Sequence, residues 1–195
     1  MVGVRQFDEA KLLATVLDVF WRKGWQATSM SDLAEASGVQ RGSLYNAYGG
    51  KEALFLLAFE SYAQRFLADV RTAIDAPSAA VALNRFFDVA IANMTAGHPP
   101  RGCLTTKMVA ESEAAGELVQ ARLRQLLNDL RTIMQSALAI DQIRAGLKLS
   151  PEETAEILVT FTRGLAIMEA LYHSSDQLRS TSNSLARALL STRIY

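Results

Sequence analysis

The residues best equipped for chemistry on a partner lie between Gly38 and Lys51, where Gln40, Arg41, Ser43 and Asn46 supply donors and acceptors and no acidic residue intervenes. Groups of these types read base edges in a DNA groove. An arginine fork matches the two acceptors of guanine, and hydroxyl or amide groups serve several bases. Arg41 and Ser43 are the foremost candidates for base contact, with Gln40 and Asn46 beside them. The chain as a whole lends no electrostatic help. Its 195 residues carry 20 basic and 20 acidic side chains, a formal net charge of zero. Any nucleic-acid contact must therefore come from a local patch. Arg41 and Lys51 are the cations of that patch, and a two-fold copy of the chain would double it.

Other chemistries find little support. The histidines are His98, in a proline loop, and His173, at a helix end, with no serine elbow or metal-pair spacing around either. His98 and Cys103 stand too near in sequence, at too common a spacing, to suggest a site. Gly49-Gly50-Lys51 lacks the preceding strand and the first glycine of a phosphate loop. Neither catalysis nor a cofactor or metal is expected. The single cysteine, Cys103, rules out an internal disulfide and a multi-cysteine zinc site. It follows Arg101-Gly102 at a helix start, with Lys107 one turn on, a setting that would favour a thiol reactive toward electrophiles or oxidants. The competing reading makes Cys103 a small apolar plug in the core.

The candidate reading residues need a frame, and Thr28 to Leu54 provides one. Ser29 can cap a short helix with Asp32 in its first turn, and that helix runs to Ser37. Gly38 can take positive φ without steric penalty, and a second short helix follows from about Gln40 to Ala47. Two helices crossing steeply after so tight a turn approach closely at one point, where the small Ala34 fits and Leu44 fills the space between them. The pattern is a helix-turn-helix, with the second helix as its reading head.

Phe20, Gly24, Thr28, Ser29, Met30, Leu33, Ala34, Gly38, Val39, Leu44, Tyr45, Tyr48, Lys51, Glu52 and Leu54 together resemble the N-terminal pattern of the tetracycline-repressor family of bacterial transcription regulators. The likeness covers roughly Phe7 to Leu57; beyond it, only length and an all-helical look agree. Two departures stand out: Gln40 occupies a position where the family often has a Ser or Thr cap, and Gly49-Gly50 loosens the loop before Lys51. The resemblance implies that Thr28, Tyr45, Tyr48 and Lys51 hold phosphates, with the Tyr45 ring also packed against the first helix. It further implies a homodimer on a palindromic double-stranded operator, acting as a repressor and released by a small-molecule inducer. A thiol-sensing regulator acting through Cys103, or a helical ligand-binding protein without a DNA function, are the alternatives.

The remaining pattern is helical throughout, about nine helices in all, with a DNA-binding domain over 1–50 and a ligand-binding and dimerisation domain over 51–195. The first helix spans about Asp8 to Lys23, and its Trp21 and Trp25 are read as packing residues rather than ligand-stacking ones. Long helices follow over about Lys51–Ile74, Ser78–Thr95, Gly116–Ile140, Pro151–Tyr172 and Gln177–Leu190, with a short one over Leu104–Ala110. Gly97 to Gly102, with Pro99 and Pro100, forms a stiff loop. Arg122, Arg124 and Arg131, interspersed with acids, read as a solvated face rather than a second DNA surface.

Between Ile157 and Leu171 only Arg163 and Glu169 carry charge, so that helix must be covered on two sides. The expected dimer interface is Leu158, Phe161, Leu165, Leu185 and Leu189, in the four-helix bundle that the resemblance implies. The inducer is expected among Phe59, Tyr62, Phe66, Phe87, Met94, Cys103, Met108, Phe161 and Met168, each of which core packing would explain equally well. No secretory signal and no charge-free run of membrane length is present, so a cytoplasmic protein is expected.

Overall fold

The computed structural model describes residues 8–97 and 100–191, so the readings at Phe7, His98 and Pro99 fall outside it. Eleven helices and no strand are found among the described residues: α1 Glu9–Lys23, α2 Met30–Ser37, α3 Arg41–Tyr48, α4 Lys51–Ile74, α5 Ala79–Thr95, α6 Leu104–Ala110, α7 Ser112–Ala115, α8 Glu117–Leu138, α9 Asp141–Arg144, α10 Pro151–Tyr172 and α11 Ser175–Leu189. The expectation of about nine omitted α7 and α9. Each has four residues, barely one turn, too short for a 3.6-residue period to register.

Two compact units form. One comprises the chain up to Gln64 together with Lys107–Arg122; the other comprises Arg65–Thr106 and the chain from Leu123 onward. The first therefore extends past the expected division at Lys51 and takes in a segment much later in sequence.

In the first unit α1 packs on α2, and α2 on α3. Asp8 caps α1, its side chain accepting from the Lys11 N–H at 3.2 Å. Ser29 and Asp32 form a reciprocal capping box that fixes the start of α2. The α2–α3 turn is made by Gly38 at φ 68°, a left-handed conformation open to glycine at little penalty. Leu33 and Leu44, both fully buried, fill the crossing of the two short helices. Behind them stands an aromatic core. Phe20 stacks on Trp25 at 5.6 Å and meets Phe55 edge-on at 5.0 Å, while Trp21 meets Tyr62 edge-on at 5.3 Å. Both tryptophans are buried packing residues.

In the second unit α5 is central, packing against α9, α10 and α11. Its buried face carries Leu83, Phe86, Phe87, Ile91 and Met94. Ser150, Pro151 and Glu153 open α10 through a second capping box. The chain end is tied back by hydrogen bonds from Lys148 N to Leu189 O and from Ser191 N to Gly146 O, each 2.9 Å.

Three of the five residues expected at a dimer interface face the chain's own interior. Leu158, Leu165 and Leu189 are buried within their own protomer, at 0%, 3% and 5% exposure. The outward face of α10 carries Thr160, Gly164, Ile167, Met168, Leu171 and Tyr172 instead, with Leu171 66% exposed. A helix that is apolar nearly all round has no polar stripe to set its phase, so the sequence could not say which apolar face turns inward. Phe161 and Leu185 are half-buried.

Candidate nucleic-acid interface

α3 presents two unlike faces. Leu44 and Tyr48, four residues apart, point into the unit, while Gln40, Arg41, Gly42, Ser43, Tyr45 and Asn46 are exposed. All four candidate base-reading side chains are thus exposed, and α3 carries no acidic residue. Gln40 makes no side-chain cap hydrogen bond, so the first-turn N–H groups of α3 receive no acceptor from it. The Arg41 guanidinium lies 5.6 Å from the centroid of the Tyr45 ring, one turn on along the same face. Lys11, exposed on α1, lines a surface cleft with Ser37, Gly38 and Val39 of the turn, where Asp8 and Glu35 offset its charge. Nothing in the spacing of Lys11 marked it in advance.

Three of the residues expected to hold phosphates face inward. Thr28 is 2% exposed and its Oγ1 donates to the Gly24 carbonyl at 2.6 Å. Lys51 Nζ donates to the Trp25 and Thr28 carbonyls, both at 3.0 Å, and sits 4.5 Å from the Trp25 ring centroid. Tyr48 is buried, and its hydroxyl reaches the Glu9 carboxylate at 3.2 Å. These donors are engaged by the protein's own acceptors, which satisfies buried polar groups. Tyr45 reverses its expected packing: its ring stands in solvent, and the tyrosine that reaches α1 is Tyr48.

Charge around the frame is locally balanced. The Lys23 ammonium, 2.5 Å from Asp32, together with the Ser29 hydroxyl and N–H, holds the Asp32 carboxyl far below the usual carboxylate range. Farther along the same unit, Arg122 Nε lies 2.7 Å from Glu60, lowering the Glu60 pKa, and its guanidinium stands 5.5 Å from the Phe59 ring. Arg122 is therefore an internal partner. Arg131 pairs with Glu156 at 2.5 Å.

The residues expected around an inducer divide between the two units: Phe59, Tyr62 and Met108 in the first, Phe66, Phe87, Met94, Cys103, Phe161 and Met168 in the second. Met168, at 44% exposure, points outward from α10. Phe87 and Phe161 meet edge-on at 5.8 Å. Cys103 is 8% exposed, and Arg163 Nη1 donates to its Sγ at 3.5 Å while Nη2 donates to Thr162 Oγ1 at 3.2 Å. Arg163 Nε is buried and finds no acceptor. Among the described residues no group of His, Cys, Asp and Glu could hold a metal ion, and no helix is long and apolar enough to cross a membrane.

A capped helix, a left-handed glycine turn and an exposed polar helix define a helix-turn-helix DNA-binding regulator. Two family descriptions match the chain, "Bacterial regulatory proteins, tetR family" over residues 12–58 and "Tetracyclin repressor-like, C-terminal domain" over residues 79–185. The chain belongs to the tetR family of transcription regulators, which bind DNA and are not enzymes. It is 36% identical over 100 residues to the HTH-type transcriptional repressor ComR of Escherichia coli K12, a match covering 50% of this chain and 47% of ComR. It is 40% identical over 73 residues to the regulator YezE of Bacillus subtilis 168, covering 37% of this chain and 38% of YezE. Against these curated relatives the match thus spans about half their length or less. A cysteine-substituted form of the TetR family regulator CifR, complexed with 26-base-pair operator DNA, superposes with TM-score 0.80 at 26% identity, covering 95% of this chain and 98% of that one. The reduced form of E. coli NemR shares the fold, with TM-score 0.81 at 18% identity, covering 96% of this chain and 100% of NemR.

Proposed function

We propose that the chain acts in the cytoplasm as a homodimeric repressor that binds a palindromic operator and is released by a small-molecule inducer. The observation that carries this reading is the acid-free outer face of α3, where Gln40, Arg41, Ser43, Tyr45 and Asn46 stand together on the second helix of the motif. A major groove admits one helix, and base edges there are read by side chains of these types. Two-fold symmetry in the protein demands two-fold symmetry in the site. The exposed stripe Ile167, Met168, Leu171 and Tyr172 on α10 supports pairing with a second copy, since an exposed apolar patch of this kind marks an interface. The identity to a transcriptional repressor, ComR, supports the sign of regulation. Phe87 and Phe161, which meet edge-on in the second unit, are candidates to line the inducer site.

One observation favours a second reading of the trigger: the Arg163 guanidinium against Cys103 Sγ suits a thiol that reports on electrophiles or oxidants. Both readings share the same first test. Fluorescence anisotropy on DNA upstream of the protein's own gene should reveal sequence-selective binding that weakens steeply with salt, as counterion release requires. Absence of selective binding under every ligand condition returns the chain to a helical binding protein without a DNA function.

A further inference from the structure

The loop that delivers the chain into the helix-turn-helix, Gly24 to Ser29, takes its partners from far along the sequence. Lys107 Nζ donates to the Trp21 and Arg22 carbonyls, both at 2.8 Å, at the end of α1, where unsatisfied carbonyls and the negative end of the helix dipole favour a cation. Glu111 Oε2 accepts from the Gln26 N–H at 2.8 Å. The Ala114 carbonyl accepts from Trp25 Nε1 at 2.9 Å. A Cβ at Gly24 would come within 2.2 Å of Glu111 Oε1, so a larger residue there would push the carboxylate from its place. Gly24 also sits at φ 82°, which independently selects glycine. Lys51 completes the arrangement from α4 through the Trp25 and Thr28 carbonyls. The loop's polar groups are thus met by α4 and by residues 107–114, all within one compact unit.

We propose that Lys107 and Glu111 are positioning residues for operator binding: they fix the end of α1 and the loop before Ser29, and through that loop the angle at which α2 and α3 are presented to DNA. Neither reads a base. Their effect runs through the backbone at Trp21, Arg22 and Gln26, whose displacement would carry the Ser29–Asp32 capping box with it. The chain passes from the second unit to the first between Thr106 and Lys107, inside α6. The inference rests on the operator-binding reading above.

The test uses the full chain and two DNA probes, the upstream fragment and a scrambled fragment of equal length, with the binding-competent fraction of each variant fixed by stoichiometric titration. Lys107→Met and Glu111→Ala should each lower operator affinity about tenfold, the equivalent of one charge-assisted hydrogen bond, with scrambled-DNA affinity unchanged. Lys107→Arg and Glu111→Gln, which keep a donor and an acceptor in place, should restore selectivity. A merely structural role would reduce the competent fraction and leave selectivity intact, and that result overturns the inference. In the wild type, the Gln26 amide should exchange with solvent as slowly as helix amides; exchange at the rate of an open loop also overturns it. Absence of selectivity in the wild type overturns the operator-binding reading, and this inference with it.

Discussion

Lys51 Nζ donates to the Thr28 carbonyl at 3.0 Å, while Thr28 Oγ1 donates to the Gly24 carbonyl at 2.6 Å. Two of the four residues that the family resemblance assigns to phosphates are joined to each other and to the loop ahead of α2.

Lys51→Ala should therefore act first on stability. Loss of two charge-assisted hydrogen bonds in a half-buried setting should destabilise the fold by about 1.5–3 kcal/mol, read as a lowered denaturation midpoint. A phosphate ligand would behave differently, its removal flattening the dependence of log affinity on log salt by about one unit. An unchanged slope in Lys51→Ala supports the inward role; a flatter slope restores the phosphate role.

Arg41 belongs to the other class, because it is exposed on the outer face of α3 and one turn from Tyr45. Arg41→Ala should cost about 1–3 kcal/mol on the operator and relax base preference at one position, leaving stability and non-selective binding near wild type. Equal loss on operator and scrambled DNA would make Arg41 a backbone contact instead.

What was legible in the sequence was local. Ser29 with Asp32, Gly38, and Leu44 obey rules that operate within one turn or one helix crossing, and each stands where those rules put it. The orientation of α10 was not legible, because Leu158 and Leu171 are equally apolar and only packing against α5 and α11 distinguishes them. That Tyr48 and not Tyr45 packs toward α1 was hidden for a related reason: three residues apart on a short helix, they differ only in which neighbour each meets. Lys107 and Glu111 left no trace, since a hydrogen bond joining residues 85 apart has no signature in spacing.

The exposed apolar face of α10 makes a prediction about assembly. Leu171→Glu places a charge on a side chain 66% exposed in the protomer, so it should abolish the dimer in light scattering while preserving the helical fold. Leu165→Glu, at a position 3% exposed, should unfold the chain, because a buried charge without a partner is strongly unfavourable. A Leu171→Glu variant that remains dimeric would place the interface elsewhere.

Acid sensitivity should trace to the capping box of α2. The Asp32 carboxyl is held far below its ordinary value of 3.8 by Lys23 first and Ser29 second. A folded-state pKa below the unfolded one means that the unfolded chain binds protons more readily, so this contribution is fully present above about pH 4 and is lost as pH falls through the ordinary carboxylate range and below. Asp32→Asn should lower stability near neutral pH and flatten the acid limb of the stability profile, an effect readable by thermal melts across pH. Identical limbs in the variant and the wild type would assign acid sensitivity to other carboxylates, of which Glu60 and Glu153 are also lowered.

Cys103 and Arg163 permit a decisive test of the trigger. With 8% exposure, the thiol should react slowly with a bulky disulfide reagent and faster with a small electrophile, a difference set by access. Arg163→Met removes the donor 3.5 Å from Sγ and should change the rate with the small reagent if that contact governs the thiol. If the thiol is the trigger, modification releases operator DNA in the wild type and leaves Cys103→Ser bound. If Cys103 is a packing residue, Cys103→Ser lowers stability through the loss of a buried apolar group, and labelling of the wild type leaves operator affinity where it was.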